Sequence, residues 1–248
     1  MGTAGARFAV SRQIMASGGV WLSFGSTQIL IDPGPGTLVH AIKRKFDPSK
    51  LDAIILSHRH LDHSGDINVM IEAMTNGGKS KRGIVFAPAD AVNRDPVILS
   101  YLHSYPERIE ILTEGGLYKV NDISFETPVK HKHSVETYGF IFRTPKHTFS
   151  WITDTKYFTE LPCYYMGEML IINVVLLNPR ISIEHLSLPE AKEIIVKIKP
   201  KLAILTHFGM TMWRARPWEL AQKLSDETGV SVIAARDGMR VNLAELEN

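Results

Sequence analysis

Residues 57–65, which read SHRHLDHSG, place four side chains that can bind a metal within six positions. Neutral imidazoles and carboxylates suit zinc and similar divalent cations. The i, i+2 spacing of His58 and His60 in an irregular loop lets both rings reach one ion, whereas the adjacent Asp62 and His63 point in different directions and can serve a second ion. The pattern therefore predicts a site for two metals, with a solvated polar loop as the alternative.

Four candidate site residues each come just after a short apolar run that reads as a β-strand. The pairs of run and candidate are 28–31 with Asp32, 53–56 with His58, 148–152 with Asp154, and 202–205 with His207. Rigid strands fix the residues on the loops that leave their C-terminal ends, and sites in α/β sheets assemble there. Further runs at 84–87, 139–142, 170–177 and 230–234 also predict strands.

Helical patterns lie between several of these runs. The clearest covers 188–199, where apolar residues recur at helical spacing, Ser187 and Glu190 form a capping box, and Pro200 marks the end. Further helices are predicted over about 66–74 and 217–228. Alternating strands and helices favour a layered α/β fold, and we expect residues 1–248 to form a single domain.

The composition is that of a soluble protein with a substantial core. The 248 residues are 44% hydrophobic, with a formal net charge of +2. No apolar stretch reaches 18 residues and no secretory signal is present, so we expect a cytoplasmic protein without membrane contact. Cys163 cannot form an internal disulfide and is expected to be a buried, small apolar residue. Basic clusters at 43–45 and 79–82 could meet phosphates, although such runs are usually solvated faces.

Taken in order, these motifs resemble the metallo-β-lactamase superfamily. The set begins with HRHLDH at 58–63, and it continues with His133, Asp154 and His207. The resemblance extends from residues 2–6, through DPGPG at 32–36, to RDG at 236–238, and its pattern is closest to ribonuclease Z-like and phosphodiesterase members. It implies an αββα sandwich that holds two metals at one edge.

The resemblance also implies ligand roles. His58, His60 and His133 would hold the first ion, and Asp62, His63 and His207 the second, with Asp154 bridging the two. Two divalent ions are expected, zinc in the first place, with manganese or iron as alternatives. His131 competes with His133 for its role, and His133 is preferred because it stands six residues before Gly139, as in ribonuclease Z-like members.

Three other residues have proposed roles. Asp62 could orient the nucleophile as well as bind metal. His185, which precedes the helix leading to the His207 strand, resembles the histidine that faces the scissile phosphate in phosphodiesterase members and protonates the leaving oxygen; the alternative is a helix-entry histidine bonded to local backbone. Asp32 is expected to accept a hydrogen bond from a ligand imidazole, unless it is only a turn residue before Pro33.

The implied function is metal-dependent hydrolysis of a small or cyclic phosphodiester by a hydroxide that bridges the two metals. Transfer-RNA processing is not favoured, because residues 172–175 read INVV where ribonuclease Z has HEAT, and no long arm fits between His133 and Asp154. Nucleic acid is therefore not the favoured substrate, and homo-oligomerisation is left open. The alternatives are hydrolysis of a lactone, thioester or other ester, a diiron redox protein, and a metal-binding module without turnover.

Overall fold

Twelve β-strands form two sheets in the computed structural model, which describes residues 1–17 and 19–244. The first sheet has the strand order β1-β2-β3-β4-β5, with bounds Val20–Phe24, Thr27–Ile31, Ala53–Ile55, Ile84–Pro88 and Arg108–Leu112. Its first two strands form an antiparallel hairpin, and the others run parallel. The carboxyl ends of β2, β3 and β4 therefore lie at one edge of the sheet.

The second sheet has the order β12-β11-β10-β9-β8-β7-β6. In chain order, the bounds of β6 to β12 are Gly116–Val120, Ile123–Thr127, Phe140–Arg143, Thr148–Ile152, Met169–Asn173, Leu202–Thr206 and Ser231–Ala234. Strands β9 to β12 are mutually parallel, and β6 to β9 form an antiparallel meander. Asn173 at the end of β10 pairs in register with Thr206, the residue before His207.

Seven α-helices connect the strands within the described residues. Their bounds, α1 to α7, are Ala6–Ser11, Thr37–Lys43, Leu61–Ser64, Ile67–Met74, Leu188–Ile198, Met210–Arg214 and Pro217–Thr228. Single helical turns at Pro48–Lys50, Ser100–Ser104 and Leu161–Tyr164 are of the 3-10 type, and Asp90–Arg94 is a π-helical turn.

Alternation along the strands divides the interior into three apolar layers. Side chains such as Ile55 and Phe86 face the space between the sheets, where they meet Phe140 and Phe149 of the second sheet. Their neighbours, including Ile54, point outward and are covered by α4. The outer face of the second sheet is covered in the same way by α5 and α7. This arrangement confirms the layered α/β fold and the αββα sandwich expected from the sequence.

The eight predicted strands are confirmed, as are the three predicted helices, with shifts of one or two residues at most ends. One boundary was further off, because the strand predicted over 170–177 ends at Asn173 and the chain then leaves the sheet. The expectation that Cys163 is buried was wrong, since this residue lies exposed in the turn Leu161–Tyr164. No helix of the described chain is both long and apolar enough to cross a membrane.

The N-terminus of α5 provides a test of the capping interaction predicted from the sequence. The Glu190 carboxylate accepts hydrogen bonds from the Ser187 backbone N–H at 2.7 Å and from its hydroxyl at 2.6 Å. Replacing Glu190→Ala leaves this donor pair unsatisfied, so we expect the free energy of unfolding to fall by about 1 kcal/mol. Denaturant titration measures the loss. The matched change Glu227→Ala, which removes an exposed carboxylate from α7, should cost less; equal losses would contradict the capping role.

Candidate metal centre

Three imidazoles meet beside the carboxyl end of β3, and we call them the first cluster: His58, His60 and His133. The ring centroids lie 4.8 Å apart for His58 and His60, 5.1 Å for His58 and His133, and 4.9 Å for His60 and His133. The first two rings come from the loop after β3 and the third from the connection between β7 and β8. One nitrogen of each lies within 4.8 Å of the others, which is a spacing that one ion could fill.

The second cluster consists of Asp62, His63 and His207. Nε2 of His63 lies 3.2 Å from Nε2 of His207. An oxygen of Asp62 is 3.8 Å from the His63 nitrogen and 3.6 Å from the His207 nitrogen. Asp62 and His63 lie in α3, whereas His207 directly follows β11, so this cluster joins the two sheets.

The carboxylate of Asp154 lies between the two clusters. Its Oδ2 is 3.8 Å from Nε2 of His58 and 3.3 Å from Nε2 of His63, and its Oδ1 is 3.4 Å from Nε2 of His207. The side chain is 1% exposed. Because Oδ2 faces an imidazole of each cluster and Oδ1 faces a second imidazole of the second cluster, the group is placed where the resemblance expects a bridging ligand.

The donor atoms fit a divalent cation. Nδ1 of His58 lies 3.0 Å from the hydroxyl of Ser57, which itself donates to Asp32. Nδ1 of His58 therefore carries the proton, and the lone pair of Nε2 faces the carboxylate of Asp154 across 3.8 Å. This Nε2 is buried and has no hydrogen-bond partner. A cation between the lone pair and the carboxylate would satisfy both, and the histidine-rich set with oxygen donors suits zinc, iron or manganese.

The charges of the two clusters differ. Burial lowers the pKa of His58 well below its usual value and that of His60 to about 4, so both rings are neutral at pH 7. Burial also opposes a charge on His63, but Asp62, Asp32 and Asp154 outweigh it and hold the pKa of this ring well above its usual value. The pKa of the Asp154 carboxyl is lowered well below normal, since His207, His185 and His63 outweigh its burial.

Hydrogen bonds to the ring nitrogens that point away from the clusters fix the orientation of the candidate ligand rings. Asp32 accepts from Nδ1 of His63 at 2.9 Å, and from the backbone N–H and hydroxyl of Ser57 at 2.6 Å each. Nδ1 of His133 lies 3.0 Å from the carbonyl oxygen of Glu184. In both cases the second nitrogen, Nε2, is turned toward its cluster. The structure thus places Asp32 in the orienting position that the sequence analysis gave it.

Asn173 is a member of the site that sequence reasoning missed. Its side-chain N–H donates to Oδ1 of Asp154 at 2.9 Å, and its amide oxygen accepts from the indole N–H of Trp151 at 3.0 Å. All three side chains are buried. The indole fixes which way the amide points, so Asn173 can present only a donor to Asp154. The one signal in the sequence was a lone polar residue inside the apolar run 170–177.

His185 adds another imidazole to the site. Its Nδ1 lies 3.5 Å from Oδ2 of Asp154, and its ring centroid is 5.1 Å from that of His133. This nitrogen is buried and has no hydrogen-bond partner, and burial lowers the pKa of the ring. Nδ1 of His185 is thus directed toward Asp154. Within the described residues it makes no hydrogen bond to the local backbone, which is the contact that the alternative prediction proposed.

His131 occupies a different environment from His133. Its Nε2 accepts from the hydroxyl of Tyr165 at 2.6 Å, and its Nδ1 lies 3.2 Å from the carbonyl oxygen of Asp154. Burial lowers the pKa of His131 to about 4. No metal-binding cluster among residues 1–17 and 19–244 includes His131. The structure therefore brings His133 to His58 and His60, and uses His131 to support the backbone behind Asp154.

His207 is held in an uncommon backbone conformation by the N-terminal segment. Its φ is +59°, in the left-handed region that most side chains avoid. The Thr3 carbonyl accepts from the Phe208 N–H at 2.8 Å, and the Gly5 N–H donates to the Phe208 carbonyl at 3.0 Å. A Cβ on Gly5 would lie 2.1 Å from the His207 carbonyl oxygen, so only glycine allows this approach. Asp237 holds the segment by accepting from the backbone N–H and hydroxyl of Thr3 at 2.9 and 2.8 Å.

The chain matches the family model described as a beta-lactamase superfamily domain over residues 27–208. It is 31% identical to an uncharacterized protein of Methanocaldococcus jannaschii, in an alignment that covers 98% of this chain and 93% of that protein.

Two solved structures have a similar fold. The metallo-beta-lactamase fold protein YhfI of Bacillus subtilis has a TM-score of 0.81 and 21% identity, with 96% of this chain and 95% of that chain covered. The short form of human tRNase Z has a TM-score of 0.72 and 16% identity, with 98% and 99% of the two chains covered.

The charge on His63 makes metal uptake by the second cluster dependent on pH. A cation can bind Nε2 of His63 only after a proton has left, and the pKa of this ring is raised well above its usual value. We expect the affinity for Zn²⁺ to rise about tenfold per pH unit between pH 6 and 7, and to level off once the pKa of His63 is passed. Calorimetric titration of the metal-free protein measures this slope. His63→Ala should flatten it and His131→Asn should not; an unchanged slope in His63→Ala would refute the assignment.

Asn173 provides a second test. Replacing Asn173→Leu keeps the side-chain volume similar but removes the donor to Asp154, so we expect Zn²⁺ affinity to fall by roughly 10–100-fold. Asn68→Leu is the matched control, because Asn68 also makes side-chain hydrogen bonds, to Val97 and Leu99, away from the two clusters. If both variants bind Zn²⁺ as tightly as the parent protein, Asn173 does not position the bridging carboxylate.

Proposed function

Because this chain belongs to the metallo-β-lactamase superfamily, we propose that it is a metal-dependent hydrolase that uses two divalent ions to cleave a small or cyclic phosphodiester. The two clusters around Asp154 support a pair of ions, each with at least two imidazoles. Zinc is the expected metal; the alternatives are iron, which also takes imidazole ligands, and manganese, which takes carboxylates.

Bound cations would lower the pKa of a water molecule toward neutrality and polarise the phosphoryl oxygen of the substrate. The chain itself supplies orientation and proton transfer. Asp62 suits the task of orienting the attacking water, because burial, which opposes ionisation, is outweighed by His63 and His207, and its carboxyl pKa is lowered. Asp62 is thus an ionised acceptor at neutral pH. Its second role is to complete the second cluster.

The observation that carries the choice of a phosphodiester is His185, an imidazole beyond those that the two clusters contain. Its Nδ1 is buried and unpartnered, and it faces the same carboxylate as the clusters do. A ring in this place can donate a proton to the oxygen that leaves phosphorus. Burial lowers the pKa of His185, and an anionic diester beside the ring would favour the imidazolium that this role requires.

The described loops around the site include no long arm, which agrees with a small substrate. The connection between β7 and β8 that carries His133 spans residues 128–139, and the connection between β9 and β10 spans residues 153–168. Human short-form tRNase Z, one of the similar structures, is a nuclease by name. We propose that this chain shares the bond type, a phosphodiester, and acts on a smaller molecule.

Turnover measurements test the reaction class. The Zn²⁺- or Mn²⁺-loaded protein should hydrolyse bis(p-nitrophenyl) phosphate, lose this activity when the ions are removed with a chelator, and recover it on reloading. A panel of lactones and thioesters is the comparison. Turnover of a lactone or thioester with none of any diester would reject the phosphodiester proposal and favour the ester hydrolase alternative.

The role of His185 is tested by the leaving group. An alcohol needs protonation as it leaves far more than p-nitrophenol does, so His185→Ala should lower kcat by about 10²–10⁴ on a dinucleotide and much less on bis(p-nitrophenyl) phosphate. Metal content by elemental analysis should be unchanged, and His103→Ala is the matched control. Equal losses on both substrates with loss of an ion would instead make His185 a metal ligand.

A further inference from the structure

Three loops that carry residues of the metal centre also carry exposed cations. Lys132 precedes His133, Lys156 follows Asp154 by two residues, and Arg180 lies five residues before His185. We call Lys132, Lys156 and Arg180 the cationic rim.

Contacts between the loops bring the backbones that carry the rim together. The backbone N–H of Lys156 donates to the carbonyl of Lys132 at 2.8 Å, and the Lys132 N–H donates to the Thr155 hydroxyl at 3.1 Å. The ammonium of Lys156 reaches the carbonyl of Ile181 at 3.3 Å, which ties it to the residue after Arg180. The Lys132 ammonium lies 4.7 Å from the centre of the Phe158 ring. The three loops that carry the rim are thus in contact with one another, and they also carry His133, Asp154 and His185.

In the part of the chain that the structure describes, the rim cations lack an acidic partner, unlike several other cations in the ligand loop and on α5. Across residues 1–17 and 19–244, no carboxylate lies within 4.0 Å of a rim nitrogen, whereas Arg59 in the ligand loop is paired with Asp90 and Asp95. On α5, Lys192 and Lys197 are paired with Glu227 and Glu193. An unpaired surface cation is ordinary by itself. Three on loops that contact one another and also carry residues of the metal centre form a local positive field.

We infer that the substrate carries a second phosphate, beyond the scissile diester, that is bound by Lys132, Lys156 and Arg180. This inference rests on the proposed phosphodiesterase function, since the scissile group must lie at the metal centre while the second phosphate contacts the rim. Glu184 is the one acidic residue of the loop that carries Arg180. Its backbone carbonyl lies 3.0 Å from Nδ1 of His133. The second phosphate belongs either to a nucleic-acid backbone or to the end of a small molecule.

Two substrates that share a scissile bond test the inference. Thymidine 5′-(p-nitrophenyl phosphate) is a plain diester, and its 3′-phosphorylated derivative adds one phosphate. The parent protein should have a KM about tenfold lower for the derivative, and this advantage should shrink at high salt because contacts with solvent-exposed charges are screened. The double variant Lys132→Ala/Lys156→Ala, and separately Arg180→Ala, should remove the preference and leave kcat for the plain diester unchanged.

The control variant is Lys79→Ala/Lys81→Ala, which removes the same two charges from the segment that precedes β4, at the opposite end of the parallel strands from the metal centre. It should keep the tenfold preference, as should the charge-conserving Lys132→Arg/Lys156→Arg. Equal KM values for the two substrates in the parent protein, or equal effects of the rim and control variants, would overturn the inference.

Binding separates failure of the inference from failure of the proposed function. Calorimetry should show thymidine 3′,5′-bisphosphate binding about tenfold more tightly than thymidine 5′-monophosphate, with the difference lost in the rim variants. If neither diester is cleaved but this difference persists, the hydrolase proposal fails and the rim remains a phosphate site; if the difference is absent, the rim inference fails. Decathymidylate binding more tightly than the bisphosphate would assign the second phosphate to a nucleic-acid backbone, and equal affinities to a small molecule.

Discussion

The structure of the site depends on one buried carboxylate, that of Asp154, surrounded by imidazoles from separate parts of the chain. A charge this deep is tolerated only when other groups compensate for it. His63, His207 and His185 supply that compensation, and their influence outweighs burial in setting the ionisation of Asp154. The imidazoles of His63 and His207 that stabilise the carboxylate also belong to the second cluster, so the groups that compensate its charge are among those that could bind cations.

The two sheets make this arrangement possible, and each provides a different part of it. The first sheet supplies the ligand loop after β3 and, from β2, the Asp32 that holds Ser57 and His63. The second sheet supplies Asp154, Asn173 and His207 from three adjacent parallel strands. Orienting groups come from rigid strand ends or backbone carbonyls, so the ligand nitrogens are fixed by hydrogen bonds that are not exposed to solvent. Only His133 and His185 depend on longer connections, and the Glu184 carbonyl links these two to each other.

Much of the fold and most of the candidate ligands could be predicted from the sequence. Strands that are buried on both faces read as apolar runs, and four of them were followed within two residues by a polar candidate that the sheet topology brings to the same edge. The strands that escaped prediction, β1, β5, β6 and β7, lie at the hairpin end of the first sheet, at its far edge and in the meander. Each has positions that are only partly buried, and polar residues interrupt the apolar pattern. Asn173 and the pairing of His131 with Tyr165 could not be predicted, because hydrogen bonds between residues distant in sequence leave no spacing to read. The burial of Cys163 was predicted wrongly, because the general tendency of free cysteines to be buried does not determine the exposure of one residue in a short turn.

Asp237 accepts hydrogen bonds from Thr3, and the Thr3 carbonyl in turn accepts from the residue after His207. These contacts have a consequence for biosynthesis. A nascent chain leaving the ribosome exposes His58, His60 and His133 before residue 237 is translated, so the carboxylate that holds the N-terminal segment beside His207 emerges after the first cluster. Vectorial synthesis thus separates the emergence of the first cluster from the closure of the second. The completed pocket is formed only when the two distant ends of the described chain have met.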